Sequence, residues 1–183
     1  LGTDHVDVLL VHRPDPLTDP AETADALETL VKQGKTLSVG VSNYTPAQTD
    51  ALQKRLSIPL ATNQLEFSVK TTDNFFNGAA DDLFARGIKP MAWSPLGGGS
   101  VFTGTDDQSN RLRGVLGALA AKYGATPDAV MYAWLFMHPL GMMAITGTVQ
   151  IARIQNAVDA LNIKLTHEEW YDVLAASRGY DVP

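Results

Sequence analysis

The sequence contains no cysteine at any of its 183 positions, so disulfide bonds and cysteine-ligated zinc are excluded. It is also short of charge: only 19% of residues are Asp, Glu, Lys or Arg, and the balance is acidic, at −6. That balance speaks against a nucleic-acid surface, because neutralising phosphates takes clustered Lys and Arg. Apolar runs stay far below the length of a membrane span, so no membrane partner is expected. Histidine is scarce, with His5, His12, His138 and His167 alone, and none is spaced from His12 as a metal ligand would be. No G-x-G-x-x-G follows an apolar run, so the usual Rossmann phosphate turn is missing. What is present is ample apolar material, 45% of residues, in a chain long enough for one domain with a sizeable core.

That apolar material alternates between two periods. Continuous runs read as strands buried on both faces, and 3.6-periodic stretches read as helices. The strands fall at 6–12, 36–43, 60–68, 89–96 and 141–147. Helices are expected from Pro20 to Gly34, from Pro46 onward, and at about 74–86, 111–123, 127–138, 150–161 and 167–177. The first opens with Asp19 as cap and Glu22 completing a capping box. Thr45 with Gln48, and Thr166 with Glu169, repeat the pattern, and Gly34 and Gly87 supply left-handed stops. Residues 97–110, "GGGSVFTGTDDQSN", are the one long irregular stretch, and such loops are often functional.

Five strands, each followed by a helix, give an α/β fold with a mainly parallel sheet. Every strand ends on polar or aromatic residues: His12; Ser42 and Asn43; Gln64 and Glu66; Trp93 and Ser94; Gly147 and Thr148. An open doubly wound sheet concentrates ligand groups at one switch point, whereas a (β/α)8 barrel gathers them from many strands onto one face. The even distribution favours the barrel, with five of its eight strands present.

These strand ends carry a consistent chemistry. His12 offers an imidazole for hydrogen bonding or proton transfer. Ser42, Asn43 and Gln64 can recognise an amide through donor and acceptor contacts. In "AWSPLGGG", Trp93 provides a shelf for a ring, and the glycines let backbone N–H groups approach a phosphate. Arg153, early in the helix after the fifth strand, forms an anion site with that helix's N-terminus. Taken singly, each residue has a plainer use: a strand-end histidine, a turn asparagine, a core tryptophan, a surface arginine.

In this order, from "LGTDHVDVLLVHRPDP" to the closing helix, the residues resemble the aldo-keto reductases, most closely bacterial oxidoreductases. The resemblance implies a (β/α)8 TIM barrel binding NADP(H) at its C-terminal face. It also implies hydride transfer to a small aldehyde or ketone, and a cytoplasmic setting. It assigns His12 to the catalytic histidine. Ser42, Asn43 and Gln64 become the carboxamide readers, and Trp93 the nicotinamide shelf. Ser94, Leu96, Gly97 and Gly98 become the pyrophosphate loop, and Gly147, Thr148 and Arg153 the 2′-phosphate site. Two places depart from the pattern: Gly147-Thr148 stands for a Lys-Ser pair, and Asn156-Ala157 for a Glu-Asn pair. The family's catalytic Asp, Tyr and Lys lie in the first three strand–helix units, and none of Tyr44, Tyr123, Tyr132, Tyr171 or Tyr180 matches the acid's place. The chain, residues 1–183, is therefore expected to be the C-terminal portion of one barrel domain, with strands four to eight present. On this reading it is inactive alone and self-associates through open edges. A nucleotide-binding regulatory subunit of the channel β-subunit kind, or an inactive remnant, is the alternative.

Overall fold

A computed structural model describes residues 2–181. Its five strands are β1 (Val6–Val11), β2 (Thr36–Ser42), β3 (Leu60–Glu66), β4 (Met91–Trp93) and β5 (Met143–Ala144). They form one sheet in the order β1-β2-β3-β4-β5, every neighbouring pair parallel. Helices α1 (Pro20–Lys32), α2 (Pro46–Gln53) and α3 (Ala79–Arg86) follow the first three strands in turn. After β4 come α4 (Ser100–Thr103), α5 (Asp107–Tyr123) and α6 (Pro127–Met137), and after β5 come α7 (Ile151–Asp159) and α8 (His167–Arg178). The sheet is not closed: among the described residues, β1 and β5 each have a strand on one side only.

The two faces of the sheet differ. Val39, Val41, Leu65 and Ala92 are buried in the main core, which Leu83, Leu112, Trp134 and Leu174 of the helices complete. On the other face the register Leu10↔Gly40 puts a glycine beside a leucine. A Cβ on Gly40 would lie 2.6 Å from Leu10 Cδ2 and 2.7 Å from the Thr62 carbonyl oxygen. Gly40 is thus required by close approach rather than by backbone torsion. Further along this face Gln64 Nε2 lies 3.8 Å from Met91 Sδ. Leu10, Gln64, Met91 and Trp93 are only half-buried, and Met143 and Ile145 are exposed.

Local signals explain the helix ends. The Thr45–Gln48 and Thr166–Glu169 capping boxes form, and Gly34 and Gly87 take φ of 68° and 67°. Asp19 caps α1 by accepting from the Ala21 N–H, but no reciprocal Glu22 bond forms, so it is a simple cap and not a box. The expected helix over 74–86 is broken: a 3-10 turn spans Asp73–Phe75, and α3 begins only after Gly78, at φ 88°. A left-handed residue cannot sit inside a right-handed helix. The stretch 97–110 is not irregular. It holds a 3-10 turn, α4 and the first residues of α5, which starts at Asp107 because Asp106 accepts from the Ser109 N–H. Strands β3, β4 and β5 are shorter than the apolar runs suggest. β5 is shortest, pairing with β4 through Met143 N–H to Pro90 O and Ile145 N–H to Ala92 O.

Candidate functional site

The C-terminal strand ends converge, and a hydrogen-bond network ties four of them together. Asn43, just past β2, stands at φ 61°, a left-handed conformation that asparagine tolerates better than most residues. Its Nδ2 donates to Ser42 Oγ at 2.9 Å and to the His12 carbonyl at 3.4 Å. Its Oδ1 accepts from Trp93 Nε1 at 3.0 Å. Ser42 Oγ donates in turn to the Gln64 carbonyl at 2.9 Å. One carboxamide therefore joins the ends of β1, β2 and β4, and through Ser42 that of β3. The indole of Trp93 is pinned edge-on by this network, while the His12 side chain is exposed.

Counting donors and acceptors shows what stays free. Both Nδ2 hydrogens of Asn43 are used, as is the Ser42 hydroxyl hydrogen. Asn43 Oδ1 keeps one lone pair and Gln64 keeps its side-chain oxygen, so the pair still presents acceptors, with Gln64 Nε2 in weak contact with a sulfur. Ser42 is buried and acts as a brace.

Beside this network lies a cleft of about 1030 Å³, and the other predicted residues line it: Ser94, Leu96, Gly98, Gly147, Thr148 and Arg153. One wall is the backbone of Gly98 and Gly99, which with Gly97 form three consecutive residues with φ of 57°, 62° and 80°. Ser94, three residues before Gly97, is also left-handed, at φ 47°. Gly97 itself does not line the cleft. It turns toward Lys70, whose Cγ would stand 2.9 Å from a Cβ there. The opposite wall is the segment from Ile145 to Gln150 and the first turns of α7. Arg153 is the third residue of α7, so its charge adds to that of the helix N-terminus.

The predicted residues thus fall into two adjoining groups. His12, Ser42, Asn43, Gln64 and Trp93 gather at the strand ends, and the remainder gather around the cleft. Sequence reasoning missed Phe102, Thr103, Asp128 and Tyr132 as cleft-lining residues. Phe102, 44% exposed, was hidden in a stretch read as loop. Asp128 and Tyr132 sit in the apolar pattern of α6 with nothing local to mark them. Asp128 Oδ2 accepts from Asn156 Nδ2 at 3.0 Å, bridging α6 to α7. Among the described residues no cluster of His, Asp or Glu could hold a metal ion, and no helix is long and apolar enough to cross a membrane.

The Aldo/keto reductase family model matches residues 1–178. The chain belongs to the aldo/keto reductase family. Its relatives in that family include the oxidoreductase YdhF of Escherichia coli, 44% identical over 184 residues. They include also the oxidoreductase YcsN of Bacillus subtilis, at 43%, and a 6-dehydroglucose reductase of Agrobacterium fabrum, at 42%. Each match takes in all of this chain but only 60–61% of the relative. Two solved aldo/keto reductases share the fold. One, a thermostable enzyme in complex with the inhibitor epalrestat, aligns at a TM-score of 0.85 and 26% identity, over 95% of this chain and 61% of its own. The other, from Klebsiella pneumoniae in complex with NADP and acetate, aligns at 0.81 and 27% identity, over 99% of this chain and 61% of its own. This aldo/keto reductase chain therefore spans about three-fifths of the proteins it matches.

Proposed function

We propose that the protein carrying this chain is an NADP(H)-dependent oxidoreductase acting on the carbonyl of a small aldehyde or ketone. The observation that carries the reading is the cleft, in which a wall of left-handed glycines faces Arg153 and the N-terminus of α7. A dinucleotide phosphate fits this chemistry. Thr148 and Arg153 would take the 2′-phosphate, and the backbone from Ser94 through Leu96 to Gly98 would take the pyrophosphate. Trp93 would shelve the nicotinamide ring, and the free acceptor of Asn43 with Gln64 would read its carboxamide. When bound, the cofactor supplies or removes a hydride. His12, exposed at the end of β1, would donate a hydrogen bond to the carbonyl oxygen and so stabilise its developing charge. The NADP complex of the Klebsiella relative supports the choice of cofactor.

The unpaired edges of β1 and β5, together with the three-fifths coverage, support assigning these strands to positions four to eight of an eight-stranded barrel. The first three strand–helix units, with the family's Asp, Tyr and Lys, would then lie outside this chain. The chain by itself would reduce no carbonyl and would self-associate, because strand edges and the apolar Met143 and Ile145 are open.

Fluorescence titration of the complete protein with NADPH and NADH tests the cofactor reading, comparing Arg153→Ala with the parent. The variant should weaken NADPH by roughly tenfold to a hundredfold, as loss of a charge-assisted bond implies, with NADH little changed. Equal losses for both, or no NADPH binding by the parent, would refute it. Sedimentation of the 183-residue chain with an NADPH-oxidation assay tests the second part. A monodisperse monomer that reduces an aldehyde would overturn it.

A further inference from the structure

We propose that Arg113 is a positioning residue for the cleft, setting the glycine wall in its cofactor-receiving place; the proposal rests on the dinucleotide reading above. The wall's own backbone bonds are few: Gly97 N–H donates to the Ser94 carbonyl at 2.8 Å, Gly99 N–H to the Leu96 carbonyl at 2.9 Å and Gly104 N–H to the Ser100 carbonyl at 2.8 Å. Gly97, Gly98 and Gly99 are of the most permissive residue type and all stand at positive φ, and α4, which carries Phe102 and Thr103 into the cleft, is four residues long. A single turn of helix does not hold itself together in water.

Beyond these bonds and the burial of Val101 in the main core, the wall is held from α5. Arg113 Nη1 donates to the Val101 carbonyl at 2.6 Å and to the Gly104 carbonyl at 2.7 Å, so one nitrogen gathers the end of α4. Its Nη2 reaches Asn110 Oδ1. Among the described residues Arg113 is in no ion pair. Its charge goes to backbone carbonyls of the wall, the acceptors left unpaired at a helix C-terminus. On the far side Lys70 lies under Gly97, and its Nζ reaches Asp106 Oδ1 at 3.0 Å and Ser109 Oγ at 2.8 Å. Within the wall Ser100 Oγ donates to the Gly97 carbonyl at 2.7 Å. Arg113 thus grips the last turn of α4 and Ser100 ties back to Gly97, while Gly98, Gly99, Phe102 and Thr103 line the cleft.

Freed from Arg113, the wall would occupy its receiving place only part of the time. Apparent affinity falls in proportion to that fraction, so a wall in place a tenth of the time raises Kd about tenfold. The test compares Arg113→Ala, Arg113→Lys and Ser100→Ala with the parent, all in the complete protein. Kd and the association and dissociation rates for NADPH are measured by fluorescence and stopped flow, beside the thermal midpoint. Glu169→Gln, which breaks a clamp between α5 and α8 away from the cleft, is the control for a merely structural loss.

The expected result is a rise of about tenfold in Kd for Arg113→Ala, seen mainly as slower apparent association, with partial rescue in Arg113→Lys and a smaller rise in Ser100→Ala. The control should lower the midpoint and leave Kd alone. Unchanged Kd in the Arg113 variants with a binding parent overturns the proposal, as does a rise that the control matches for the same fall in midpoint. A parent that binds no NADPH instead removes the dinucleotide reading on which it stands. If Arg113→Ala does not fold, an unchanged Kd in both Arg113→Lys and Ser100→Ala is the refuting result.

Discussion

Replacing Asn43 separates two effects that the network superimposes, backbone strain and hydrogen bonding. Asn43→Gly keeps a residue at ease at φ 61° but deletes the bonds to Ser42 Oγ at 2.9 Å and from Trp93 Nε1 at 3.0 Å. The contact to the His12 carbonyl, at 3.4 Å, adds little. Two good bonds at about 0.5–1.5 kcal/mol each put the loss at about 1–3 kcal/mol. Asn43→Ala loses the same bonds and must also hold a Cβ in the left-handed region, which adds about 1 kcal/mol. Urea unfolding at one fixed protein concentration, with constant m, reads both values. Combining Asn43→Gly with Trp93→Phe, which removes the indole donor, isolates the long bond across the strand ends. The cycle should give a coupling of about 0.5–1.5 kcal/mol. Additive single mutants would show that this bond does not stabilise the fold, and an alanine no worse than glycine would remove the strain.

Three further outcomes follow from the geometry. In the complete protein, His12→Ala should lower kcat by about 10²–10³ while leaving NADPH affinity close to the parent's, as removal of one donor to a developing oxyanion does; unchanged kcat would remove His12 from the chemistry. Gly40→Ala should destabilise the chain by about 1–3 kcal/mol through overpacking against Leu10 and the Thr62 carbonyl, and a neutral result in denaturant would show that the sheet yields there. Burial pushes the Glu169 carboxyl up, but the Lys122, Tyr123 and Thr166 donors outweigh it and hold the group down to about 2, against an ordinary 4.5. Its folded pKa lies below its unfolded one, so its contribution is complete above pH 4.5 and fades as pH falls toward 2. The difference in melting temperature between parent and Glu169→Gln should shrink over that window, and a constant difference would refute the carboxylate's role.

The parallel α/β alternation was legible in the sequence because each strand and helix carries its own period. The capping at Thr45 and Thr166 and the stops at Gly34 and Gly87 are equally local, since a cap is a bond between residues three apart or a torsion of one residue. The candidate site residues were legible as polar and aromatic types near strand ends, because a parallel sheet sends all those ends to one side. What sequence could not decide lies where segments distant along the chain meet. The Asn43 and Gly78 examples mark the boundary. Asn-Gly at 77–78 is a local turn signal that breaks the expected helix, whereas nothing near Asn43 announces that its oxygen will meet an indole fifty residues away. Arg113 reads as one more surface charge on α5 until the fold brings Val101 and Gly104 to it. Asp128 and Tyr132 look like ordinary members of α6 until α7 lies across them. Periods, caps and turns are set by near neighbours in the sequence. The grouping of a strand-end network beside a glycine-walled cleft depends on which long-range pairs the packed sheet and helices bring within hydrogen-bond distance.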